Sequence, residues 1–164
     1  MALVSDRSGS DDLWIVPVHE GAPAGEPRRI THGEAQVNLP TWSPDGSEIA
    51  FVGTADGKTS VWIVQVEGEG RLRPVEGPPG PRFVRWSRAG DALLVSGHDE
   101  SQVVRLFEVD LESFAVLPVV PEVVFGDNNA TGAFDLSTDD NLIAFTQENT
   151  RSELWILGAK RGRF

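Results

Sequence analysis

An apolar strand with an aromatic residue at its second position recurs four times along this chain, and that repetition restricts its fold more than any other feature. The aromatic marker stands at Trp14, Trp62, Phe107 and Trp155, separated by 48, 45 and 48 residues. It lies within LWIVPV (Leu13 to Val18), VWIVQV (Val61 to Val66), LFEV (Leu106 to Val109) and LWILG (Leu154 to Gly158). Three further segments align ahead of the last three copies: TWSPDGSEIAF (Thr41 to Phe51), RWSRAGDALLV (Arg85 to Val95) and DLSTDDNLIAF (Asp135 to Phe145). Each joins a Ser (Ser43, Ser87, Ser137) to a turn cluster and then to an apolar strand.

A period of about 40 to 50 residues built from short strands signals the four-stranded blades of a β-propeller. The apolar runs are short, rich in β-branched and aromatic residues, and bounded by Gly, Asp, Asn or Pro, so no segment competes as a helix. Several lack polar alternation, as expected of strands buried on both faces. Asp45-Gly46 and Asp56-Gly57 supply residues for tight hairpin turns. With strands named A to D, the first repeat is predicted to hold B (Ala2 to Ser5), C (Leu13 to Val18) and D (Arg28 to Thr31). The second holds Asn38 to Ser43, Glu48 to Gly53, Ser60 to Val66 and Leu72 to Glu76. The third holds Arg82 to Ser87, Ala92 to Gly97, Val103 to Val109 and Ala115 to Val119. The fourth holds Thr131 to Ser137, Asn141 to Gln147 and Glu153 to Gly158. The expectation is an all-β, antiparallel propeller segment spanning 1–164, with blades at about 1–37 (incomplete), 38–80, 81–130 and 131–164 (incomplete).

The segments SDRSGSDDLWIVPV, PRRIT, LPTWSPDGSEIAFVGTADGKTSVWIVQV and STDDNLIAFTQENTRSELWIL resemble the WD40-like repeat of TolB-type β-propellers. The likeness is strongest in the second repeat and weakest in the third, where Arg88-Ala89-Gly90 replaces Pro-Asp-Gly and Phe107 replaces Trp. The closing ELWILGAKRGRF also resembles the end of bacterial propellers that follow a kinase or winged-helix domain. TolB-type propellers close with six or more blades. The resemblance therefore implies a fragment, a natural truncation, or half of a propeller that a second copy completes as a homodimer. A terminal blade without a neighbour is expected to expose an apolar face. The family likeness also points to a bacterial cell-envelope setting, although the N-terminus carries no secretory signal pattern.

Composition removes whole classes of chemistry. Fourteen Lys and Arg against 25 Asp and Glu give a formal charge of −11, the wrong sign for nucleic-acid binding. The absence of Cys removes thiol nucleophiles and Cys-ligated metals, and no apolar run reaches the roughly 20 residues of a membrane span. Gly53 to Thr59 has the outline of a phosphate loop, but Val52 stands where that motif needs Gly, and the segment joins two strands. The Ser43 to Gly46 turn is like a sialidase Asp-box, but sialidases use a Tyr nucleophile and this chain has no Tyr. The turn is better read as a hairpin device in which Ser and Asp bond local backbone. His19, His32 and His98 are the only imidazoles and no G-x-S-x-G is present, so no serine-hydrolase set assembles. The acidic turns Asp6, Asp11, Asp12, Asp127 and Asp139-Asp140 match no calcium-loop pattern and read as turn chemistry. The Trp residues read as core between blades. The basic tail at Lys160 to Arg163 reads as a solvated terminus, and Asn129-Ala130-Thr131 matches a sequon that matters only in a secreted eukaryotic protein.

The functional expectation is a non-enzymatic module for protein interaction, scaffolding or sensing, with no cofactor or metal and with a protein as partner. The recognition surface is expected on the B–C loops, at Asp6, Arg7, Asp11, Asp12, Asp56, Lys58, His98, Asp99, Glu100, Glu148, Asn149 and Arg151. Their acidic bias suits a basic or neutral partner. The alternative is the propeller of a larger enzyme, either a prolyl-oligopeptidase-like serine peptidase or a membrane-linked kinase, with the catalytic residues elsewhere.

Overall fold

A computed structural model describes residues 1–68, 70–119, 124–126, 131–139, 141–148 and 152–158, with backbone only for 148, 152–155, 157 and 158. The chain forms two compact units, Met1–Val75 and Glu76–Phe164, each built of antiparallel sheets that match propeller blades.

The first unit begins with β1 (Ala2–Ser5), β2 (Asp12–Ile15), the short pair β3 (Val18–His19) and β4 (Ala22–Pro23), and β5 (Arg28–Arg29). Strands β1, β2 and β5 form one three-stranded sheet. The predicted C strand running to Val18 is shorter than expected. It stops at Ile15, because Pro17 has no N–H for the ladder. Val18 instead opens a separate hairpin, which reverses at Glu20 and Gly21, with φ of 48° and 79°.

The second blade is a complete sheet in chain order: β6 (Gln36–Trp42), β7 (Glu48–Ala55), β8 (Lys58–Gln65) and β9 (Leu72–Val75). Strand β6 starts two residues before the predicted Asn38 and carries an irregularity between Asn38 and Thr41. Leu39 sits there at φ 50°, beside Pro40, which lacks a ladder donor. Strand β7 is buried on both faces, which explains its unbroken apolar run. Ile49 and Phe51 pack with Leu13, Ile30, Val37 and Val64, while Ala50 and Val52 on the opposite face are equally buried.

In the second unit, β10 (Phe83–Trp86), β11 (Ala92–His98), β12 (Val104–Asp110) and β13 (Val116–Pro118) form the third blade. Strands β14 (Phe134–Leu136), β15 (Leu142–Glu148) and β16 (Ser152–Gly158) form a three-stranded fourth sheet. The core between these sheets is aromatic. Phe125 meets Phe134 at 6.2 Å and Phe145 edge-on at 5.5 Å, and Phe83 meets Phe134 at 5.7 Å. At the rim, Arg85 pairs with Asp135 at 3.3 Å and Arg88 donates to the Thr138 carbonyl. The sheet face turned away from the third blade carries Leu142 and Ile156, 46% and 68% exposed.

The A–B hairpins share one clasp. In the second blade Ser43 Oγ donates to Asp45 at 2.6 Å and accepts from the Glu48 N–H at 2.9 Å. Ser137 repeats this with Asp139 and the Leu142 N–H. The Ser43 and Ser137 hydroxyls, followed by local N–H groups, hold the Asp45 and Asp139 carboxyls down at about 2. Gly46, at φ 74°, completes the turn that Pro44 begins.

Candidate partner-binding loops

Each B–C loop is set by the two strands it joins, and the loops differ in how much of their side-chain chemistry the fold itself consumes. In the first blade the loop from Asp6 to Asp11 closes over Asp12, which is fully buried. Asp12 Oδ2 accepts from Ser8, Ser10 and Arg29 at 2.7, 2.6 and 2.6 Å. Oδ1 accepts from Thr31 Oγ1 and the Gly33 N–H, both at 2.9 Å. Burial alone would raise the pKa of this carboxyl. Hydrogen bonds from Ser10, Ser8, Gly33 and Thr31 outweigh burial and hold it well below the ordinary value. Asp12 is therefore a structural anion, while Asp6 and Asp11 beside it are exposed. Arg7 lies over the Trp14 ring at 4.7 Å and donates to Ser5 Oγ.

In the second blade the loop is a two-residue turn between Ala55 and Lys58. Asp56 and Gly57 adopt φ of 51° and 74°, the conformation such a hairpin needs. The Thr54 and Thr59 hydroxyls meet at 3.0 Å below it. Asp56 and Lys58 are exposed at the tip.

In the third blade Asp99 organises its own loop. It accepts from the Ser101 and Val103 N–H groups and from Arg105 Nε. The Arg105 hydrogen bond, followed by that from Val103, lowers its pKa. Arg105 precedes Leu106-Phe107 as Asp12 precedes Leu13-Trp14, so corresponding strand positions carry opposite charges. Sequence reasoning missed Arg29, Thr31 and Arg105 as partners, although the repeat alignment put a charge at that position. His98 is half-buried, with its N–H on the Pro79 carbonyl and Nε2 3.4 Å from an Arg82 nitrogen. Gly80 passes so close that a Cβ there would lie 2.6 Å from His98 Nδ1. Glu100 is exposed.

Asn149 and Arg151 lie outside the described residues, as do Asp127, Asp140, the sequon Asn129 and the tail from Lys160 to Arg163, and Glu148 is described by its backbone alone. Among the described residues, no group of three His, Asp or Glu gathers in a way that would hold a metal ion. Also among them, no helix is long and apolar enough to cross a membrane.

With its repeated four-stranded antiparallel sheets and Ser–Asp hairpin clasps, the chain has the fold of TolB-like β-propellers. It superposes on TolB from Acinetobacter baumannii with a TM-score of 0.78 at 18% identity, covering 99% of this chain and 39% of that one. Sequence similarity reaches Tricorn protease homolog 1 of Streptomyces coelicolor, 32% identical over 79 residues, which are 48% of this chain and 6% of that protein. It also reaches the uncharacterized peptidase YuxL of Bacillus subtilis, 30% identical over 90 residues, which are 54% of this chain and 13% of that protein. The matched region thus spans a small part of either curated relative. No protein-family model matches the chain.

Proposed function

We propose that this chain is a non-enzymatic propeller segment that acts as a protein-interaction, scaffold or sensor module and reads its partner with the B–C loops. One observation carries this reading. Asp12, Asp99 and Arg105 are spent holding the loops in shape, whereas Asp6, Asp11, Asp56, Lys58 and Glu100 stand exposed, with no side-chain hydrogen bond among the described residues. Charges displayed on a pre-formed frame bind without a large ordering cost. Their acidic balance favours a basic or neutral protein surface.

The test compares affinity capture by the chain and by a variant with Asp6, Asp11 and Asp56 changed to Asn and Glu100 to Gln. A protein retained by the first and lost by the second supports the loop reading, and identical capture overturns it. The second reading is the propeller of a larger peptidase, supported by the similarity to Tricorn protease homolog 1. Hydrolysis of aminoacyl p-nitroanilides by the chain itself, above the buffer rate, would overturn the non-enzymatic assignment.

A further inference from the structure

We propose that the edge of the second blade around β9 binds an extended acidic peptide, with Arg71 and Arg73 as its carboxylate receptors. Most described arginines are already committed. Arg28 donates to the Val66 carbonyl, Arg29 to Asp12, Arg85 to Asp135, Arg88 to Thr138, and Arg105 to Asp99; Arg7 covers Trp14, and Arg82 lies against His98. Arg71 and Arg73 break this pattern. Both are exposed and neither donates a hydrogen bond to a described residue; the carboxylate facing Arg73 is Glu48, at 4.0 Å, beyond hydrogen-bond distance.

These two cations border a groove of about 430 Å³, a size that takes a short ligand. Strand register explains how its polar groups come together. Glu48 pairs with Gln65 across β7 and β8, and Ile63 with Arg73 across β8 and β9. Directly paired residues, and residues two apart on a strand, share a face. Glu48, Ile63, Gln65 and Arg73 therefore lie on one face, with Ile63 as its apolar floor, while Leu72 and Pro74, whose side chains belong to the opposite face, border the groove along β9.

This mixture selects a peptide over other anions. Guanidinium groups bind carboxylates through paired, charge-assisted hydrogen bonds. Glu48 accepts a peptide N–H but repels a polyphosphate, and the chain's charge of −11 disfavours a nucleic acid further. Among the described residues β9 is the edge of its sheet, with no strand paired to its outer side, which suits it to an added strand. Pro74 removes one ladder donor, and the two arginines supply donors of their own. At physiological salt the screening length is about 8 Å, so the local pair of arginines outweighs remote acidic residues. Glu48 and Ala55 stand at opposite ends of β7, about 23 Å apart at strand rise. The groove is thus distinct from the B–C loops and stands whether or not those loops bind a partner.

The experiment is fluorescence anisotropy with a labelled hexapeptide alternating Glu and Val, compared with its Gln and Lys counterparts. Saturable binding of the Glu peptide alone is expected. The double variant Arg71→Gln, Arg73→Gln should weaken it at least about tenfold with an unchanged melting temperature. Glu48→Gln should tighten it about two- to threefold. Equal binding of the Gln or Lys peptide, or unchanged affinity in the double variant, would overturn the proposal. Free glutarate binding as tightly as the peptide would also overturn it, by showing a small-carboxylate site.

Discussion

Ser87 Oγ donates a hydrogen bond to Asp91 Oδ1 at 2.8 Å. In the second and fourth blades the clasp carboxylate stands two residues after the Ser, at Asp45 and Asp139. In the third blade, where Arg88-Ala89-Gly90 replaces Pro-Asp-Gly, a carboxylate four residues on fills the same role. Ser87 Oγ still accepts from the Ala92 N–H, so the hairpin keeps its geometry after losing its motif.

Ser87 is fully buried, and its hydroxyl serves a backbone donor and a carboxylate together. Ser87→Ala should therefore destabilise the fold by about 1–3 kcal/mol, the usual cost of stranding buried polar groups. Asp91→Asn, which keeps an acceptor, should cost less. Urea unfolding followed by tryptophan fluorescence measures both, and equal stability of Ser87→Ala and wild type would remove the clasp from the account of this blade.

Asp12 sets the response to acid. Its folded pKa is depressed, so the unfolded chain, with a value near 3.9, binds the proton more readily. The stability it contributes is complete above about pH 5 and is lost as pH falls through 4 towards the folded value. Asp45 and Asp139, at about 2, act in the same direction. Melting temperature should be nearly flat from pH 7 to 5 and should drop from pH 4 to 2.5. Asp12→Asn removes the carboxylate that faces Arg29, leaving the guanidinium only the Thr31 carbonyl and Ser10 hydroxyl, and should cost about 3 kcal/mol at pH 7. It should also flatten the acid limb, which thermal melts by circular dichroism across that range will show.

The blades were legible because their hairpins are written locally: a Ser, a turn cluster and a two-sided apolar strand recur with one spacing. Departures from that spacing were not legible. The β3–β4 hairpin rests on Glu20, a non-Gly residue at positive φ that no turn motif announces. Phe125 lies between the predicted strands Ala115 to Val119 and Thr131 to Ser137, yet its N–H reaches the Val104 carbonyl and its ring is fully buried between Phe134 and Phe145. The loop chemistry was half legible. Asp12 and Asp6 look alike in a string of acidic turn residues, and only the contacts of Arg29 and Thr31 separate the buried anion from the exposed one.

Gly53 tests how closely the second blade is packed. A Cβ there would lie 2.9 Å from Phe51 Cε2 and 3.1 Å from both the Gln36 carbonyl oxygen and Trp62 Cδ1. Trp62 crosses this glycine and directs its indole N–H to the Gly53 carbonyl at 3.3 Å. Replacing a strand Gly by Ala ordinarily gains roughly 0.5–1 kcal/mol of backbone entropy. Here the backbone oxygen has little room to retreat, so overpacking should win and Gly53→Ala should destabilise by about 1–3 kcal/mol. A shift in tryptophan emission together with a lower urea midpoint is the expected signature. A more stable variant would show that the neighbours yield.

Ile156 tests what the exposed face of the fourth sheet does in solution. With Leu142 it leaves an apolar surface on the side away from the third blade, and among the described residues β16 is the edge strand of its sheet. Apolar faces with open strand edges associate, and a lysine placed on them is the usual protection. Light scattering across a range of concentrations should therefore give a mass that rises above the 17.8 kDa of one chain. Ile156→Lys should return it towards that value without lowering the melting temperature, because the side chain is 68% exposed. A well-defined dimer abolished by this substitution would favour a ring completed by a second copy. A wild-type mass fixed at one chain at every concentration would show that this face does not drive self-association.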